Sequence, residues 1–495
     1  MTVNVQQGEL VVDSLSIVNS EKESVDVLGL CNNITIFEGI DKYFLSGRIT
    51  IVDGLNILKN YKLAGQESLT IKVRQVEGQG EFSQPEFSID KVFRVYSVTD
   101  VNRNNQNIQT YVLHFIDPKF FTCHKTTLSK TLRGTYSGML LKVLQENAGF
   151  KNLPKTAFDK WDESEPEHNQ FIVPNWNVNK FIKFVCDTAE FKGNKTFKNS
   201  MFFYQTLNGQ FRFDSFQSMT SREFPLRFSF MPRNNIDQTD EDINKEGSGL
   251  NTQILNYKIP QRFNTMKGLV SGAYASKLKT YDPVRKLEEE TIYSISDVFS
   301  RGNEDGHVSS HPMIRPSDYE TTFKASELVS STQSPDISEE FVDLPPDQSY
   351  DSKILYRVNM TNSFSDEAKL VDASEGKQIT QQQGQEYRDS GDLERQALLS
   401  MFEQSLLSAT IPFRSDISVG TVVNLDIPTP EMKTDSTPPD KMMDGRYLIG
   451  KITYSISPIE NFGTVTMQCI KESYGVDLKE YQPKEESNVG PERLW

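Results

Sequence analysis

The feature that most constrains this chain is a strict alternation of apolar and polar residues near its N-terminus. It lies in the segment NITIFEGIDKYFLSGRITIVDG, residues 33–54. The residues that share one side of the extended chain are Leu45, Gly47, Ile49 and Ile51. A period of two is typical of a strand with one buried face. The polar break at residues 38–41, together with the turn signal Asp53-Gly54 after the strand, predicts a long β-hairpin that forms part of a wall around a ring.

More strands are predicted directly after this hairpin. The segments SLTIKVRQV, VFRVYSVTDV and IQTYVLHFI are rich in β-branched and aromatic residues, and a polar loop at 102–107 separates the last two. Such short strands with polar connections favour an antiparallel barrel or sandwich. Residues 1–117 are therefore interpreted as one β domain.

The pattern changes after Asp117-Pro118, where helical periodicity begins. Ser137 is a candidate cap for a first helix, and Asn177 for a second one. The apolar stripes of these helices are Leu140, Leu141, Leu144 and Ala148 in the first, and Val178, Phe181, Ile182, Val185 and Ala189 in the second. The strands MFFYQT and FRFDSF flank Asn208-Gly209, a strong turn pair. Residues 118–222 are therefore predicted to form an α+β domain.

The remainder mixes strands with long polar stretches. Strands are predicted at ILNYKI and GLVSGAYA, and residues 284–391 are predicted to be a polar insertion with few apolar runs. A helix is predicted from about residue 392, with Leu398, Phe402 and Leu406 spaced four apart. Further strands follow up to residue 475, and a polar tail occupies 476–495.

Two parts of the chain share one plan, which indicates an internal duplication. In each part a glycine and a strand are followed by a second strand, a polar loop and a third strand. Gly65 lies 28 positions before Phe93, and Gly420 lies 27 positions before Tyr447. If the duplication holds, the chain carries two similar barrels, the second one split by the insertion. Three copies would then present six similar barrels in a ring that fits a sixfold tube.

Composition limits the classes of function. The net charge of −15 disfavours nucleic-acid binding, although a negative wall would let DNA slide through a channel without sticking. Charge for solubility is the alternative interpretation. No apolar run is long enough to span a membrane, and the N-terminus lacks the pattern of a secretory signal. The cysteines are scattered without a CxxC pair, which predicts reduced core residues and folding in a cytoplasm: Cys31, Cys123, Cys186 and Cys469.

No catalytic, cofactor or metal motif is found. The five histidines are His114, His124, His168, His307 and His311. The last two are four apart, but Ser-Ser between them and the following Pro favour a loop over a metal-binding helix. Acidic residues are plentiful, yet none stands in an apolar context that would single out a catalytic acid. We therefore expect no catalytic residues, no cofactor and no metal, and hence no enzyme.

Three segments together resemble the baseplate hub family of T4-type contractile-tailed phages. They are NITIFEGIDKYFLSGRITIVDG, PNWNVNKFIKFV, and SATIPFRSDISVGTVVNLDIP with the following DGRYLIGKITYSIS. The resemblance covers residues 1–280 and 390–475. The insertion at 284–391 looks longer than that family usually carries.

The resemblance implies an α+β, mainly β fold with two tube-like antiparallel β-barrel domains and an α+β domain inserted between them. The first barrel would occupy residues 1–117, and the second, split barrel residues 223–283 with 392–475. It also implies a homotrimer that adapts the sixfold tail tube to a threefold cell-puncturing spike, around a channel through which DNA passes without specific binding. Implied partners are the spike, the tail tube protein and baseplate wedge or other hub-associated proteins. The location would be the virion tail baseplate, assembled in the host cytoplasm.

Five aromatic or terminal residues are candidates for an interface: Phe37, Tyr43, Phe44, Leu494 and Trp495. The three N-terminal aromatics are equally explained as barrel core, and a frayed terminus equally explains the last two. The competing function is a tail-associated cell-wall hydrolase or carbohydrate-binding protein. It predicts a concave site with an acidic pair, whereas the hub predicts no turnover.

Overall fold

The computed structural model describes residues 8–75, 88–103, 107–153, 155–165, 169–193, 200–230, 252–261, 264–282, 286–294, 350–358, 369–371, 378–380, 393–400, 402, 406–428 and 443–471. Over these ranges the fold is mainly β. Its largest element is a 13-stranded sheet. Among the described strands of that sheet every pair is antiparallel except one, which joins Glu223–Ser229 to Val422–Asp426.

The N-terminal unit supplies seven strands of the sheet and a short helix. The strands are β1 (Leu10–Val18), β2 (Ser24–Asp26), β3 (Cys31–Gly39), β4 (Ser46–Asp53), β5 (Ser68–Gln75), β6 (Ser88–Asn102) and β7 (Gln109–Ile116), and the helix is α1 (Ile57–Asn60). The predicted alternation is confirmed, because Leu45, Ile49 and Ile51 are all fully buried. In β7 the same period buries Tyr111, Leu113 and Phe115.

The α+β unit follows and has its own core. Its helices are α2 (Pro118–Lys125), α3 (Tyr136–Glu146), α4 (Val178–Thr188) and α5 (Phe216–Thr220). Its strands are β8 (Thr127–Leu128), β9 (Thr131–Gly134), β10 (Ser164–Glu165), β11 (Asn169–Ile172), β12 (Trp176–Asn177), β13 (Glu190–Phe191), β14 (Met201–Gln205) and β15 (Phe211–Ser215). The helices α3 and α4 and the hairpin β14–β15 bury apolar side chains against one another. This core is rich in phenylalanine rings in edge and stacked contacts.

The C-terminal unit completes the large sheet. Its sheet strands are β16 (Glu223–Ser229), β17 (Asn256–Gln261), β23 (Leu406–Pro412), β24 (Val422–Asp426), β25 (Gly445–Ser457) and β26 (Phe462–Ile470). The other elements are helix α6 (Thr265–Ser271), helix α7 at residues 393–400, and strands β18 (Ala275–Asp282), β19 (Leu287–Ser294), β20 (Ile354–Val358), β21 (Lys369–Val371) and β22 (Gln378–Thr380). The strands β19, β18 and β20 form a separate small sheet in that order.

The N-terminal and C-terminal units are parts of one sheet. Its strand order is β17-β23-β26-β25-β3-β4-β7-β6-β5-β1-β2, and β24 pairs with both β25 and β16. One apolar core contains side chains from both units. The mainly β prediction is confirmed. Two separate closed barrels are not confirmed, because β3 of one unit pairs with β25 of the other. The predicted domain boundaries stay predictions.

The two units repeat the same strand arrangement. In each, a strand pairs with the last strand of a meander: β4 with β7, and β23 with β26. The long strands β6 and β25 each pair with the preceding and following strand of the meander. Both carry a bulge at the equivalent position, Tyr96 in β6 and Gly450 in β25. Gly65 and Gly420, the glycines of the sequence echo, both have positive φ angles, of 90° and 71°.

Local signals predicted some helix ends correctly and others wrongly. Asn177 caps α4 by accepting a hydrogen bond from Lys180 N at 2.8 Å, as predicted. The cap of α3 is Thr135 and not Ser137, whose side chain turns inward to meet Ser164. The segment GLVSG belongs to helix α6 and not to a strand, since a strand begins only at Ala275. Leu406 starts β23 and does not continue helix α7.

None of the helices in the described ranges is long and apolar enough to cross a membrane.

Candidate assembly interface

The contact between β3 and β25 is the internal junction of the two units. Six residue pairs hold it in antiparallel register: Lys451 with Gly39, Ile452 with Glu38, Thr453 with Phe37, Tyr454 with Ile36, Ser455 with Thr35, and Ile456 with Ile34. The apolar members Ile36, Ile452, Tyr454 and Ile456 are essentially fully buried. The junction is therefore an interior part of the sheet and not a loose contact between domains.

A buried carboxylate, Glu38, fixes this junction. Its Oε1 accepts a hydrogen bond from Val419 N at 3.1 Å. Its Oε2 accepts from Leu207 N at 3.2 Å and from Tyr454 Oη at 3.0 Å. Because Leu207 belongs to the α+β unit and Val419 to the C-terminal unit, one side chain of the N-terminal unit binds both others. A buried polar group with this many partners specifies a unique arrangement of its neighbours.

The environment of Glu38 shifts its proton equilibrium. Burial raises the pKa of the Glu38 carboxyl to about 7, because desolvation disfavours the charged form. Hydrogen bonds from Val419, Tyr454 and Leu207 and the charge of Arg212 act in the opposite direction. Tyr454 Oη also lies 3.0 Å from the carbonyl of Ile417. When Glu38 is protonated, its O–H can donate to Tyr454 Oη while the tyrosine donates to Ile417 O. When Glu38 is ionised, the single proton of Tyr454 Oη can be donated to only one of Glu38 Oε2 and Ile417 O.

Two further polar clusters involve the α+β unit, and the first of them joins it to the N-terminal unit. Gln205 accepts a hydrogen bond from Leu45 N at 3.0 Å and donates one to Asp117 Oδ2 at 2.7 Å. Buried Asp214 pairs with Arg222 at 2.6 Å and accepts a hydrogen bond from Tyr204 Oη at 2.6 Å. Desolvation raises the pKa of Asp214 even though Arg222 opposes the shift. In both clusters the polar side chains make hydrogen bonds or ion pairs that stabilise the fold.

The predicted interface aromatics lie in two different surroundings. Phe44 is only 4% exposed and packs in the core of the α+β unit, where it contacts Phe120, Phe203 and Phe211. Tyr43 is half-buried beside Phe203. Phe44 thus contributes to the core of the α+β unit and not to a barrel core, and an interchain role for it stays a prediction.

Phe37 is half-buried on β3, with Lys42 Nζ 5.1 Å from its ring centroid and Arg48 at 5.8 Å. An interchain role for Phe37 and Tyr43 stays a prediction. Leu494 and Trp495 lie outside the described residues.

The histidines and cysteines, for which no catalytic or metal-binding role was predicted, make contacts within the fold where the structure describes them. His114 shares a hydrogen bond of 2.9 Å with Thr99 Oγ1, and His124 stacks on Phe120. His168, His307 and His311 fall outside the described ranges. Among the residues that the structure describes, no group of three or more His, Cys, Asp or Glu side chains is placed to hold a metal ion. The cysteines are all buried, as predicted.

The repeat exposes two strand edges that sequence reasoning missed. Beyond Val95, β6 pairs with β7 on one side only, and among the described strands nothing covers its other edge. At the far end of the sheet β17 pairs with β23, and no other strand in the described ranges pairs with it. Apolar side chains are exposed here: Tyr96 by 49%, Val101 by 52% and Ile259 by 39%. The available sequence signal was the length of β6, whose 15 residues extend past its partner β5.

These two edges are equivalent to the two strands of the internal junction. In terms of the shared strand order, β6 corresponds to β25, because each pairs with the last meander strand. Likewise β17 corresponds to β3. The strands β23 and β4 are equivalent, and β17 pairs with β23 as β3 pairs with β4. The described part of the chain therefore contains one closed junction, β3 with β25, and both halves of a second, open one, β6 and β17.

Comparisons with known proteins give only distant structural similarity. No family model and no curated protein sequence matches the chain. A tail protein from Neisseria meningitidis is similar with a TM-score of 0.46 and 9% identity, over 93% of this chain and 96% of that chain. A 43 kDa tail protein of a Shewanella oneidensis prophage has a TM-score of 0.45 and 9% identity, over 93% and 98%. A component of the Escherichia coli type VI secretion system has a TM-score of 0.38 and 8% identity, over 96% and 79%.

Proposed function

We propose that this chain is a structural component that closes into a ring of three copies and serves as the hub of a tail baseplate. In this role it adapts a sixfold tail tube to a threefold cell-puncturing spike and surrounds the channel for DNA. The observation that carries the proposal is the repeated unit within the chain, with equivalent strand order, equivalent bulges and one closed junction. The sequence resemblance to baseplate hubs supports the same role.

The repeat gives a physical reason for three copies. A chain that carries two similar units in tandem presents six units when three copies meet head to tail around an axis. Such a ring has approximate sixfold symmetry toward a tube and true threefold symmetry toward a spike. Its two tube-like barrels per chain would each be completed by neighbouring strands. The net charge of −15 would keep DNA from adhering to the channel wall.

The partners follow from this position in the particle. The spike protein would bind the threefold face, the tail tube protein the sixfold face, and wedge or other hub-associated proteins the outside. The chain would fold in the host cytoplasm and end in the virion baseplate. None of these roles requires a catalytic residue, a cofactor or a metal.

Light scattering of the purified full-length chain tests this proposal, alone and mixed with the spike protein of the same particle. We expect a species with three times the chain mass of 56.4 kDa, either alone or with the spike. A monomer under both conditions contradicts the hub. Release of soluble fragments from purified peptidoglycan by the wild-type chain would support the hydrolase alternative instead.

A further inference from the structure

We propose that the open edge of β6 in one copy pairs with β17 of a second copy, in the register that β25 and β3 show within the chain. This inference rests on the proposed ring and names the strands that close it. The partner is a second copy because the chain already contains the complete template for the contact. Each copy offers one β6 edge and one β17 edge, so the contact is head to tail and can close a ring.

The register follows from the strand pairs within the chain. Ser455 of β25 lies opposite Thr464 and corresponds to Asn102 of β6, which lies opposite Thr110. Thr35 of β3 lies opposite Arg48 and corresponds to Lys258 of β17, which lies opposite Ser408.

Because Ser455 pairs with Thr35 at the internal junction, Asn102 is placed opposite Lys258 of the second copy. In the same register Thr99 lies opposite Gln261 of the second copy.

The irregularities of the two open strands fall opposite each other in this register. On β6 the pairing with β7 shifts between Thr99 and Asn102, and on β17 the pairing with β23 shifts between Lys258 and Gln261. Two bulges that face each other keep the neighbouring pairs aligned, whereas one bulge opposite a regular strand would move the register.

The exposed side chains of the two edges also suit each other. Val101 on β6 and Ile259 on β17 lie within the facing bulges, and pairing would cover both. Lys258, which is exposed, would meet the stretch of β6 that carries exposed Asp100. Opposite charges and apolar pairs across strands both favour the contact. An uncovered edge with apolar side chains otherwise invites unspecific pairing.

A cysteine pair tests the register directly. Residues opposite each other on antiparallel strands have Cα atoms about 4.5–5.5 Å apart, within the range of a disulfide. We expect the double variant Asn102→Cys with Lys258→Cys to give covalently linked trimers on a non-reducing gel after mild oxidation. The native cysteines do not interfere, since they are buried and burial raises the pKa of each thiol to about 12.

The matched control shifts the pairing by one residue. In Arg103→Cys with Lys258→Cys the two side chains are directed to opposite faces of the sheet. We expect about tenfold less cross-linked product than from the first pair. Equal yields from both pairs, or a higher yield from the shifted pair, would overturn the register.

A charge placed on the edge tests the contact without cysteines. Val101→Lys puts an ammonium into the proposed contact, whereas Val92→Lys puts one on the part of the same strand that is already paired with β5. Both valines are 52% exposed, so neither change should disturb the fold. We expect Val101→Lys to weaken assembly at least about tenfold in concentration-dependent light scattering, and Val92→Lys to leave it unchanged.

The outcomes separate this inference from the proposed function. The pairing is contradicted, while the ring stands, by three results together. The wild-type chain forms a trimer, the double variant Asn102→Cys with Lys258→Cys gives no cross-link, and Val101→Lys assembles as well as the wild type. A wild-type chain that stays monomeric with and without the spike contradicts the ring itself, and the pairing with it.

Discussion

The strands β6 and β25 have equivalent places in the two units but different surroundings. Both are long, both carry a bulge near their middle, and both pair with the last strand of a meander. Past the bulge β25 is covered by β3, and its Ile452, Tyr454 and Ile456 are buried. Past its own bulge β6 has no such cover among the described strands, and Val101 is exposed.

The difference shows that the burial of a strand's side chains depends on the strand that pairs with it. The backbone path, the bulge and the meander are set within each unit, whereas burial of the second half depends on a strand from another unit. A strand that keeps apolar side chains on an open edge is typical of a contact surface. If the open edge is a contact surface, substitutions at the closed junction and on the open edge should differ in their energetic cost as the two strands differ in burial.

The largest effect is expected from Tyr454→Ala at the closed junction. The variant removes a fully buried ring and the polar contacts of Tyr454 Oη with Glu38 Oε2 and Ile417 O. We expect the free energy of unfolding to fall by about 3–5 kcal/mol, measured by urea unfolding. The matched change on the open edge, Val101→Ala, should stay within about 0.5 kcal/mol in the dilute chain. Similar losses at both positions would remove the energetic difference between the two strands.

The next effect concerns the proton on Glu38, which holds the closed junction. Below pH 4.5 both the folded and the unfolded chain carry this proton, and the neutral carboxyl is tolerated. Between pH 4.5 and about 7 the unfolded chain ionises first, so the free energy of unfolding falls as the pH rises. The total loss is on the order of 3 kcal/mol, and it is complete above the folded pKa.

Unfolding midpoints of wild type and Glu38→Gln, measured from pH 4 to pH 8, isolate this contribution. The difference between the two curves should change between pH 4.5 and 7 and be constant above that range, because all other titrating groups cancel. A difference that does not change with pH would show that Glu38 titrates alike in both states.

The smallest effect is expected at the two bulges. A Cβ added at Gly450 would clash with Ile470 Cδ1, so the isoleucine side chain must move. We expect Gly450→Ala to cost about 1–2 kcal/mol in unfolding free energy. At the equivalent position in β6, Tyr96 is exposed and Tyr96→Ala should change stability by no more than about 0.5 kcal/mol. A tolerated Gly450→Ala would mean that the covered bulge is as adaptable as the open one.

Signals that act over a few residues predicted their elements well. The alternation from Leu45 to Ile51, the cap at Asn177 and the turn at Asn208-Gly209 are all present in the structure. Each depends on backbone geometry that neighbouring residues dictate. The sequence echo also anticipated the repeated meander, because equal spacing of strands survives where identities do not.

Contacts between distant segments could not be predicted in this way. Nothing in the sequence near Ile34 or Ile456 indicates that the two residues pair. The hydrogen bonds between two strands join backbone groups, so they do not depend on which apolar residue lies opposite. The burial of Phe44 in the α+β unit and the partners of Glu38 have the same origin, because both depend on residues more than 150 positions away. The open edges of β6 and β17 were missed for the same reason. A strand edge can be recognised as open only when the strand order of the whole sheet is known.

The pairing of β3 with β25 also has a consequence for the time course of synthesis. The ribosome makes Gly39 more than 400 residues before Lys451. At 5–20 residues per second the edge of β3 stays uncovered for roughly 20–80 seconds. During that interval a completed β25 from a neighbouring polysome chain is an equally good partner for it. The fidelity of the finished sheet therefore depends on local concentration during translation, and crowded synthesis should favour exchange of strands between chains.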